Sequence, residues 1–258
     1  MSSESRIDRH LQGSIGTLVI DNQAKQNALS FDMWESLPGH VAALDDDPAV
    51  KVIVLRGAGE KAFASGSDIS QFGERRNTPE GVALYNTTVD RAVASVAAAR
   101  KPTVAWVQGY CFGGGLALAL HCDVRAAADN ASFCIPAGKV GLGYNPAWLH
   151  RLTWVIGPAL AKEMLYTARR YDAGAALRMG LVNQLATPEG VDALLAEIVA
   201  LAPLTAQAAK AAIDATIAQG TYDPAHAQAA VMRCFESKDY VEGRNAFAEK
   251  RPPRFTGQ

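Results

Sequence analysis

Two short β-branched runs separated by one long helical segment set the strongest limit on how this chain can fold. The runs are VKVIVL, Val50 to Leu55, and PTVAWV, Pro102 to Val107. Between them, roughly Pro79 to Ala99 is an alanine-rich segment with helical character, and a glycine turn after the second run leads into an apolar helix, Gly113 to His121. This order is typical of crossover units, so we expect an α/β fold with a largely parallel sheet.

Shorter patterns extend this core toward both ends of the chain. Extended segments are predicted at Ile7 to His10 and Ile15 to Ile20, and a helix from Phe31 to Leu44 has Ser30 as its N-cap. Later segments are predicted as two further strands followed by helices: Asp123 to Ala127, Ala131 to Cys134, Pro158 to Thr167, Ala173 to Met179, Val191 to Leu201 and Leu204 to Ile217.

Composition argues against several classes of partner. The 25 Lys and Arg residues balance 26 Asp and Glu residues, so no net field favours a nucleic acid. No apolar stretch is long enough to cross a bilayer, and the first ten residues lack a secretory signal, so we expect a cytoplasmic protein without membrane contact. The five histidines and four cysteines lack zinc-site spacing, so no metal is predicted. Reduced, buried thiols are expected at Cys111, Cys122, Cys134 and Cys234.

The first glycine-rich segment superficially matches a dinucleotide-binding loop. Gly57 and Gly59 follow a buried strand, as the glycines of that fingerprint do. The next residues, Phe63 to Asp68, have the composition of another turn and not that of the apolar helix a Rossmann unit requires. We therefore interpret Gly57 and Gly59 as a surface turn.

The second glycine-rich segment is more informative. Gly109 to Gly115 reads GYCFGGG and lies between a buried strand and an apolar helix. Three consecutive glycines are costly in entropy, which indicates a positive φ angle or a close approach of the backbone. The N–H groups at the helix start have no intrahelical partners and can bind an oxygen that carries negative charge. Close packing of strand on helix without a ligand is the alternative.

Taken together, these segments resemble the enoyl-CoA hydratase/isomerase, or crotonase, superfamily over nearly the whole chain. The matching segments, in chain order, are KQNALS at 25–30, KAFASGSDI at 61–69, GYCFGGG at 109–115, CDVR at 122–125, FCIP at 133–136, KVGLG at 139–143, and the stretches 173–183 and 242–252. Each match is short, but all occur in order and at the spacing of the family.

The resemblance implies a spiral of ββα units over 1–195 and a C-terminal helical region over 196–258 that makes a homotrimer or a dimer of trimers. It implies an acyl-CoA thioester as substrate, with no cofactor beyond the coenzyme A of that substrate. The backbone N–H groups of Ser67 and Gly114 are implied to form an oxyanion hole. Two such donors can stabilise an enolate by several kcal/mol, because removal of one typically costs ~3 kcal/mol.

Further positions match the family's substrate-binding residues. The predicted set is Lys25, Ala28, Ala64, Gly66, Asp68, Ile69, Gly113, Ala117, Pro136 and Ala137. Lys25 is either a phosphate contact or a solvated lysine, and Asp68 is interpreted as a helix cap in preference to a catalytic group. Lys250 and Arg251 either reach a CoA phosphate or are solvated. Weaker polar candidates near the pocket are Ser65, Glu74, Tyr85, Tyr110 and His121.

The sequence departs from the family's hydratases at the two residues that carry their chemistry. The resemblance places catalytic glutamates at 117 and 137, where this chain has Ala117 and Ala137. Methyl groups cannot act as acid or base, which disfavours standard hydration and isomerisation. Family dehalogenases have an aspartate nucleophile at what corresponds to Asn145, and an amide replaces it poorly.

Decarboxylation of a malonyl-type thioester needs no enzyme base to form the enolate. An uncharged pocket favours the departure of a carboxylate, and the family's methylmalonyl-CoA decarboxylases have a tyrosine at the position of Tyr144 that contacts it. We therefore interpret Tyr144 as a catalytic residue, with a structural tyrosine as the alternative. An enoyl-CoA hydratase with an unrecognised base and a non-catalytic acyl-CoA-binding protein are the other hypotheses.

Overall fold

The computed structural model describes residues 5–218, 232 and 235–253.

The larger of its two sheets has six strands. In chain order the six strands are β1 (Arg6–Gln12), β2 (Ile15–Asp21), β3 (Val52–Gly57), β5 (Thr103–Val107), β7 (Val124–Ala127) and β10 (Gln184–Leu185), and they lie side by side in that order. Only β1 and β2 pair antiparallel; every other neighbouring pair is parallel. The α/β class and the largely parallel sheet are therefore confirmed.

A smaller sheet explains the repeating unit of the fold. Its strands are β4 (Ala62–Ala64), β6 (Tyr110–Phe112), β8 (Ser132–Cys134) and β9 (Tyr171–Asp172). Three times in succession the chain contributes one strand to the larger sheet, one to the smaller sheet, and then helical structure. The successive pairs are β3 with β4, β5 with β6, and β7 with β8. The expected ββα units are present.

Nine α-helices have both ends within the described residues. Their bounds are α1 (Phe31–Asp45), α2 (Phe72–Arg75), α3 (Pro79–Ala98), α4 (Gly114–His121), α5 (Pro146–Thr167), α6 (Ala173–Arg178), α7 (Pro188–Ala200), α8 (Pro203–Ala218) and α9 (Lys238–Ala248). The predicted cap of α1 is confirmed, because the Ser30 side chain accepts a hydrogen bond from the Met33 N–H. Helix α5 begins earlier than predicted and is broken at Gly157, whose φ of 78° is not helical.

A branched-aliphatic cluster holds α7 against the larger sheet. Val191 and Leu195 of α7 pack with buried residues of three parallel strands. These strand residues are Val52, Val54, Val104, Trp106 and Ala126. Burying such side chains contributes roughly 1.5–3 kcal/mol each. The cluster explains why β3, β5 and β7 read in the sequence as short apolar runs.

Two interpretations of the glycine-rich turn were wrong. Residues 63 and 64, the first two of the stretch 63–68 that was expected to form a turn, belong to β4, which is completely buried. Gly57 is not in a surface turn; it ends β3, and a Cβ there would lie 2.0 Å from the Ala62 oxygen. Only Gly59, with φ of 67°, lies in an exposed turn.

The described chain forms two compact units. The first comprises residues 1–133 and 171–219, and the second residues 134–170 and 220–258, as far as they are described. The predicted division into 1–195 and 196–258 stays a prediction. No single helix of the described chain is long and apolar enough to cross a membrane; α7 and α8, bent by 100°, pass that test only as a pair and only by length and composition.

The predicted buried, reduced thiols are confirmed for three of the four cysteines. Cys111, Cys122 and Cys134 are free and buried. Burial raises the pKa of each thiol, that of Cys122 to about 12. Cys234 lies outside the described residues.

Asn27 fastens the loop between β2 and α1 to the smaller sheet. Its side chain accepts from the Asn22 N–H at 3.1 Å and donates to the oxygens of Ala58 at 3.0 Å and Ala62 at 2.6 Å. It is almost fully buried and has a positive φ, which asparagine tolerates better than most residues. The loop and β4 are therefore held by one amide.

Lys25 and Asp68 form a second link between the same loop and the segment after β4. Asp68 accepts from Lys25 Nζ at 2.7 Å and from the Ser70 N–H at 3.1 Å. Burial by itself raises the pKa of Asp68, but the hydrogen bonds from Lys25 and Ser70 outweigh it and lower the pKa below its ordinary value. The predicted helix-cap role of Asp68 is confirmed by its bond to Ser70 N–H.

Replacing Asn27 with alanine should destabilise the protein by about 2–4 kcal/mol, because three buried hydrogen bonds disappear together. Urea unfolding followed by circular dichroism measures the change. Gln26→Ala is the matched control, since Gln26 also has a positive φ but is exposed. An equal loss in both variants would contradict the role assigned to the Asn27 amide.

Replacing Asp68 with asparagine should cost stability in a pH-dependent way. A carboxyl whose pKa is lowered by folding contributes stability above its unfolded pKa, about 3.9, and loses it as the pH falls through its folded pKa. The gap between wild type and Asp68→Asn in urea unfolding should therefore be largest at neutral pH and narrow below about pH 4. Asp129→Asn, at an exposed position, serves as control. A gap that is constant with pH would contradict the prediction.

Candidate active site

Two loops leave the smaller sheet at the same edge. Strands β4 and β6 are parallel, so their carboxyl ends lie side by side, and the chain continues from them into Gly66 and Gly113. Gly66 has φ of 107°, and a Cβ at this residue would lie 3.2 Å from the Phe112 oxygen and 3.5 Å from the Gly114 nitrogen. The backbone after β4 therefore passes directly against the start of α4.

The Ser67 N–H is directed away from its neighbouring strand. Leu29 makes a parallel bridge with Ser67, in which the Leu29 N–H donates to the Gly66 oxygen and the Asp68 N–H donates to the Leu29 oxygen, each at 2.8 Å. In this pattern the residue between the two bonds has its own N–H on the opposite side of the backbone. Ser67 itself is half-buried.

The Gly114 N–H is the second donor at this edge. Gly114 is the first residue of α4, where N–H groups have no intrahelical acceptor and the helix dipole is positive. The glycines on either side of Gly114 are required for different reasons. Gly113 has φ of 50°, and a Cβ at Gly115 would lie 2.3 Å from the Ala64 oxygen. A Cβ at Gly114 would lie 3.7 Å from Ser67 Oγ, which places the two candidate donors beside one another.

This arrangement is suited to binding an oxygen that acquires negative charge. Two backbone donors on rigid elements meet at one edge, and the start of α4 adds its dipole. The Asp68 carboxylate, one residue after Ser67, is turned to Lys25 and Ser70 and is compensated by the lysine charge. The site residues predicted in this compact unit are therefore assembled around a backbone edge.

The other predicted residues of this unit line the same segments. Ala28 and Ala64 are buried, Ile69 is half-buried at the start of a short 3-10 helix, and Ala117 is fully buried on α4. The Lys25 side chain is half exposed despite its bond to Asp68. His121 lies at the end of α4 with Nδ1 2.8 Å from the Ala117 oxygen, as expected for a satisfied histidine.

The remaining predicted residues belong to the second compact unit. Pro136 precedes a short 3-10 helix, Ala137–Val140, in which Ala137 is buried. Tyr144 is buried, and its ring meets that of Trp148 edge-on at a centroid distance of 5.3 Å. Arg251 is paired with Glu242 at 2.6 Å, so the predicted basic tail is not simply solvated.

A group of buried polar side chains beside Ser67 was only partly found from the sequence. The Tyr85 hydroxyl and the Trp34 indole nitrogen are buried and make no hydrogen bond of full geometry within the described chain. A Cβ at Gly114 would lie 3.0 Å from Trp34 Cζ2, so the indole borders the donor edge. Tyr85 was a weak candidate, and Trp34 was missed because α1 reads in the sequence as an ordinary amphipathic helix.

Known proteins are similar to this chain over nearly its whole length. The family described as Enoyl-CoA hydratase/isomerase matches residues 10–258. The crotonyl-CoA hydratase of Syntrophomonas wolfei is 34% identical over 248 residues, which are 93% of this chain and 94% of that protein.

Two solved structures share the fold over nearly their whole length. An enoyl-CoA hydratase/carnithine racemase from Magnetospirillum magneticum is 35% identical, with a TM-score of 0.79 over 99% of this chain and 97% of that one. A methylmalonyl-CoA decarboxylase in complex with 2-nitronate-propionyl-CoA is 26% identical, with a TM-score of 0.86 over 98% of both chains. The chain therefore belongs to the enoyl-CoA hydratase/isomerase, or crotonase, family of acyl-CoA-processing enzymes.

Proposed function

We propose that this enzyme stabilises the enolate of an acyl-CoA thioester between the Ser67 and Gly114 N–H groups and decarboxylates a malonyl-type thioester. The observation that supports the proposal is the close approach of the segment after β4 to the start of α4, where a Cβ at Gly114 would lie 3.7 Å from Ser67 Oγ and one at Gly66 3.5 Å from the Gly114 nitrogen. Removing one oxyanion donor from an enzyme typically costs ~3 kcal/mol, so a paired site can lower the barrier substantially.

Decarboxylation is preferred because it forms the enolate without a base, whereas hydration and isomerisation each need one. Hydration needs a group that activates water, and isomerisation needs one that removes an α-proton. Loss of CO₂ leaves its bonding electrons on the α-carbon, so the enolate forms without a base. Alanines at 117 and 137 also place no carboxylate that would repel the substrate's own. Tyr144 is proposed to contact that substrate carboxylate.

The comparisons support this reaction without deciding it. The decarboxylase structure has the higher TM-score, 0.86 against 0.79 for the hydratase/racemase structure, although its sequence identity is lower. Relatives with hydratase names support a second candidate, an enoyl-CoA hydratase that uses a base other than the two glutamates. The substrate-binding set predicted from the sequence, Lys25 included, is proposed for the coenzyme A and acyl portions of the ligand.

We also propose a homotrimer or a dimer of trimers in the cytoplasm. Large apolar side chains at the junction and outer face of α7 and α8 support the assembly. Leu201, Leu204 and Ile213 are exposed by 67%, 76% and 61% in the single chain. An apolar group of this size favours a protein contact over solvent.

Incubating the purified protein with a panel of CoA thioesters should convert methylmalonyl-CoA or malonyl-CoA to products lighter by the mass of CO₂. Mass spectrometry separates this result from hydration, which adds the mass of water. Tyr144→Phe should lower decarboxylation about 10–100-fold, because a hydrogen bond to a charged group contributes about 1.5–3 kcal/mol. Tyr166→Phe, at a residue 80% exposed, is the matched control.

Other outcomes select the alternatives. Hydration of crotonyl-CoA with no decarboxylation would overturn the proposal in favour of the hydratase. Tight binding of the thioesters with no turnover would indicate an acyl-CoA-binding protein. An unchanged rate in Tyr144→Phe would remove Tyr144 from the mechanism while leaving the reaction in place.

A further inference from the structure

We propose that the side-chain hydroxyls of Ser67 and Tyr85 form a proton-transfer pair beside the two N–H donors and carry the acid–base chemistry that Ala117 and Ala137 cannot. The proposal rests on the proposed acyl-CoA function. It gives Ser67 a second role, through its side chain, in addition to the role of its backbone N–H. Ser67 is the catalytic residue of the pair, and Tyr85, which acts through it, is the positioning residue.

The Tyr85 hydroxyl is buried without an ordinary hydrogen-bond partner among the described residues. Tyr85 is completely buried on α3, and neither its hydroxyl nor the neighbouring Trp34 indole nitrogen makes a hydrogen bond of full geometry within the described residues. Leaving a buried polar group unpaired costs about 1–3 kcal/mol. Unpaired buried groups are rare in native folds, and those that persist often take part in catalysis or bind a ligand.

Three groups near Tyr85 favour its negatively charged form, whereas the Asp68 carboxylate disfavours it. The Arg76 guanidinium lies 4.2 Å from the ring centroid and is itself held by Asn86 at 2.6 Å. The Ser67 hydroxyl and the Trp34 N–H both act on the phenol oxygen as donors and lower the pKa of Tyr85. A cation and two donors can therefore stabilise a transient phenolate.

Burial disfavours the charged form of Tyr85 and is the largest single influence on its pKa in the resting enzyme. It raises the pKa of Tyr85 above its ordinary value, although Ser67, Arg76 and Trp34 oppose the change. Tyr85 is therefore a neutral phenol at neutral pH. It gives up its proton only to a strong base, and a thioester enolate is a far stronger base than a phenolate.

Ser67 connects this buried phenol to the donor edge. Its residue is half-buried, whereas Tyr85 is inaccessible, and its Oγ lies near the start of α4. A thioester oxygen held by the Ser67 and Gly114 N–H groups has its α-carbon one bond from the carbonyl carbon. The Ser67 hydroxyl is thus suited to contact the α-carbon, and the more deeply buried Tyr85 can pass its proton to Ser67.

The proton transfer balances without any further reactant. After CO₂ leaves, the electron pair of the enolate forms a C–H bond with the Ser67 proton, and Ser67 takes the Tyr85 proton in the same step. The O–H bond of Tyr85 breaks and its electron pair stays on the phenolate oxygen. Water restores that proton when the product leaves. The reverse sequence starts from the phenolate, a minor form at neutral pH whose proton has gone to water, and removes an α-proton from the product thioester.

Exchange of the α-hydrogens of propionyl-CoA in D₂O isolates this transfer from the loss of CO₂. Wild-type enzyme should exchange them, and Ser67→Ala and Tyr85→Phe should each lower the exchange rate by about 10²–10⁴-fold. Ser67→Ala keeps the backbone N–H, so the thioester dissociation constant should stay within about two-fold. The double variant should lose no more than either single variant, because the two hydroxyls act as a unit.

Matched controls separate chemistry from folding. Ser95→Ala on α3 removes a hydroxyl that bonds only to the Ala92 oxygen, and Tyr166→Phe removes an exposed phenol; both should exchange as wild type does. Tyr85→Phe should unfold at the same or higher urea concentration, since it removes an unpaired group. A lower midpoint with normal exchange would indicate a structural tyrosine and overturn the pair.

The test also distinguishes this inference from the proposed function. Unchanged exchange in both variants would overturn the pair. Decarboxylation by a wild-type enzyme that exchanges no α-hydrogen would overturn the pair and leave the function standing. A wild-type enzyme that neither exchanges nor decarboxylates any thioester would overturn both.

Discussion

The close approach of α4 to β4 is the contact on which the site depends. A Cβ at Gly115 would lie 2.3 Å from the Ala64 oxygen, so only glycine allows the helix to begin this near the strand. Because the start of α4 is fixed against β4, the N–H of Gly114 lies beside the segment that presents Ser67. The Asn27 amide holds β4 from the other side through the Ala62 oxygen. Backbone packing, more than any functional side chain, thus builds the donor pair.

A site made of backbone donors has consequences for its chemistry. Its positive potential comes from the peptide groups and the α4 dipole, and the Asp68 carboxylate, one residue after Ser67, is compensated by Lys25. With alanine at 117, proton transfer must come from another group. The buried hydroxyl of Tyr85 is suited to that task because the Arg76 cation stacks on its ring. The same family framework can therefore support different reactions by moving the acid–base group.

Much of the fold could be predicted from the sequence because its signals are local. The apolar runs of β3 and β5, the cap at Ser30 and the glycines before α4 each have a cause within a few residues. Strand β4 could not be predicted, since three residues are too few to show a periodicity of their own. The strand pairs with β6, whose partner residues Tyr110 and Cys111 lie far along the chain from Ala62 and Ala64.

The polar group at Tyr85 was obscured for a similar reason. Trp34, Ser67 and Tyr85 come from three separate segments, and no spacing in the sequence relates an indole on α1 to a phenol on α3. Trp34 alone is most simply interpreted as core, and Tyr85 was only a weak polar candidate. Only their meeting in space, together with the absence of ordinary hydrogen-bond partners for the Trp34 and Tyr85 groups within the described residues, gives them a functional meaning. The donor pair, by contrast, could be proposed from the sequence because its glycines are visible as a motif, and it stays a prediction.

A crystal structure of the protein with an unreactive acyl-CoA thioester analogue would show whether the donor pair binds the thioester. We predict that the carbonyl oxygen of the analogue lies about 2.7–3.1 Å from both the Ser67 and the Gly114 nitrogen atoms. A thioester oxygen bound elsewhere, or held by only one of these N–H groups, would contradict this role of the donor pair.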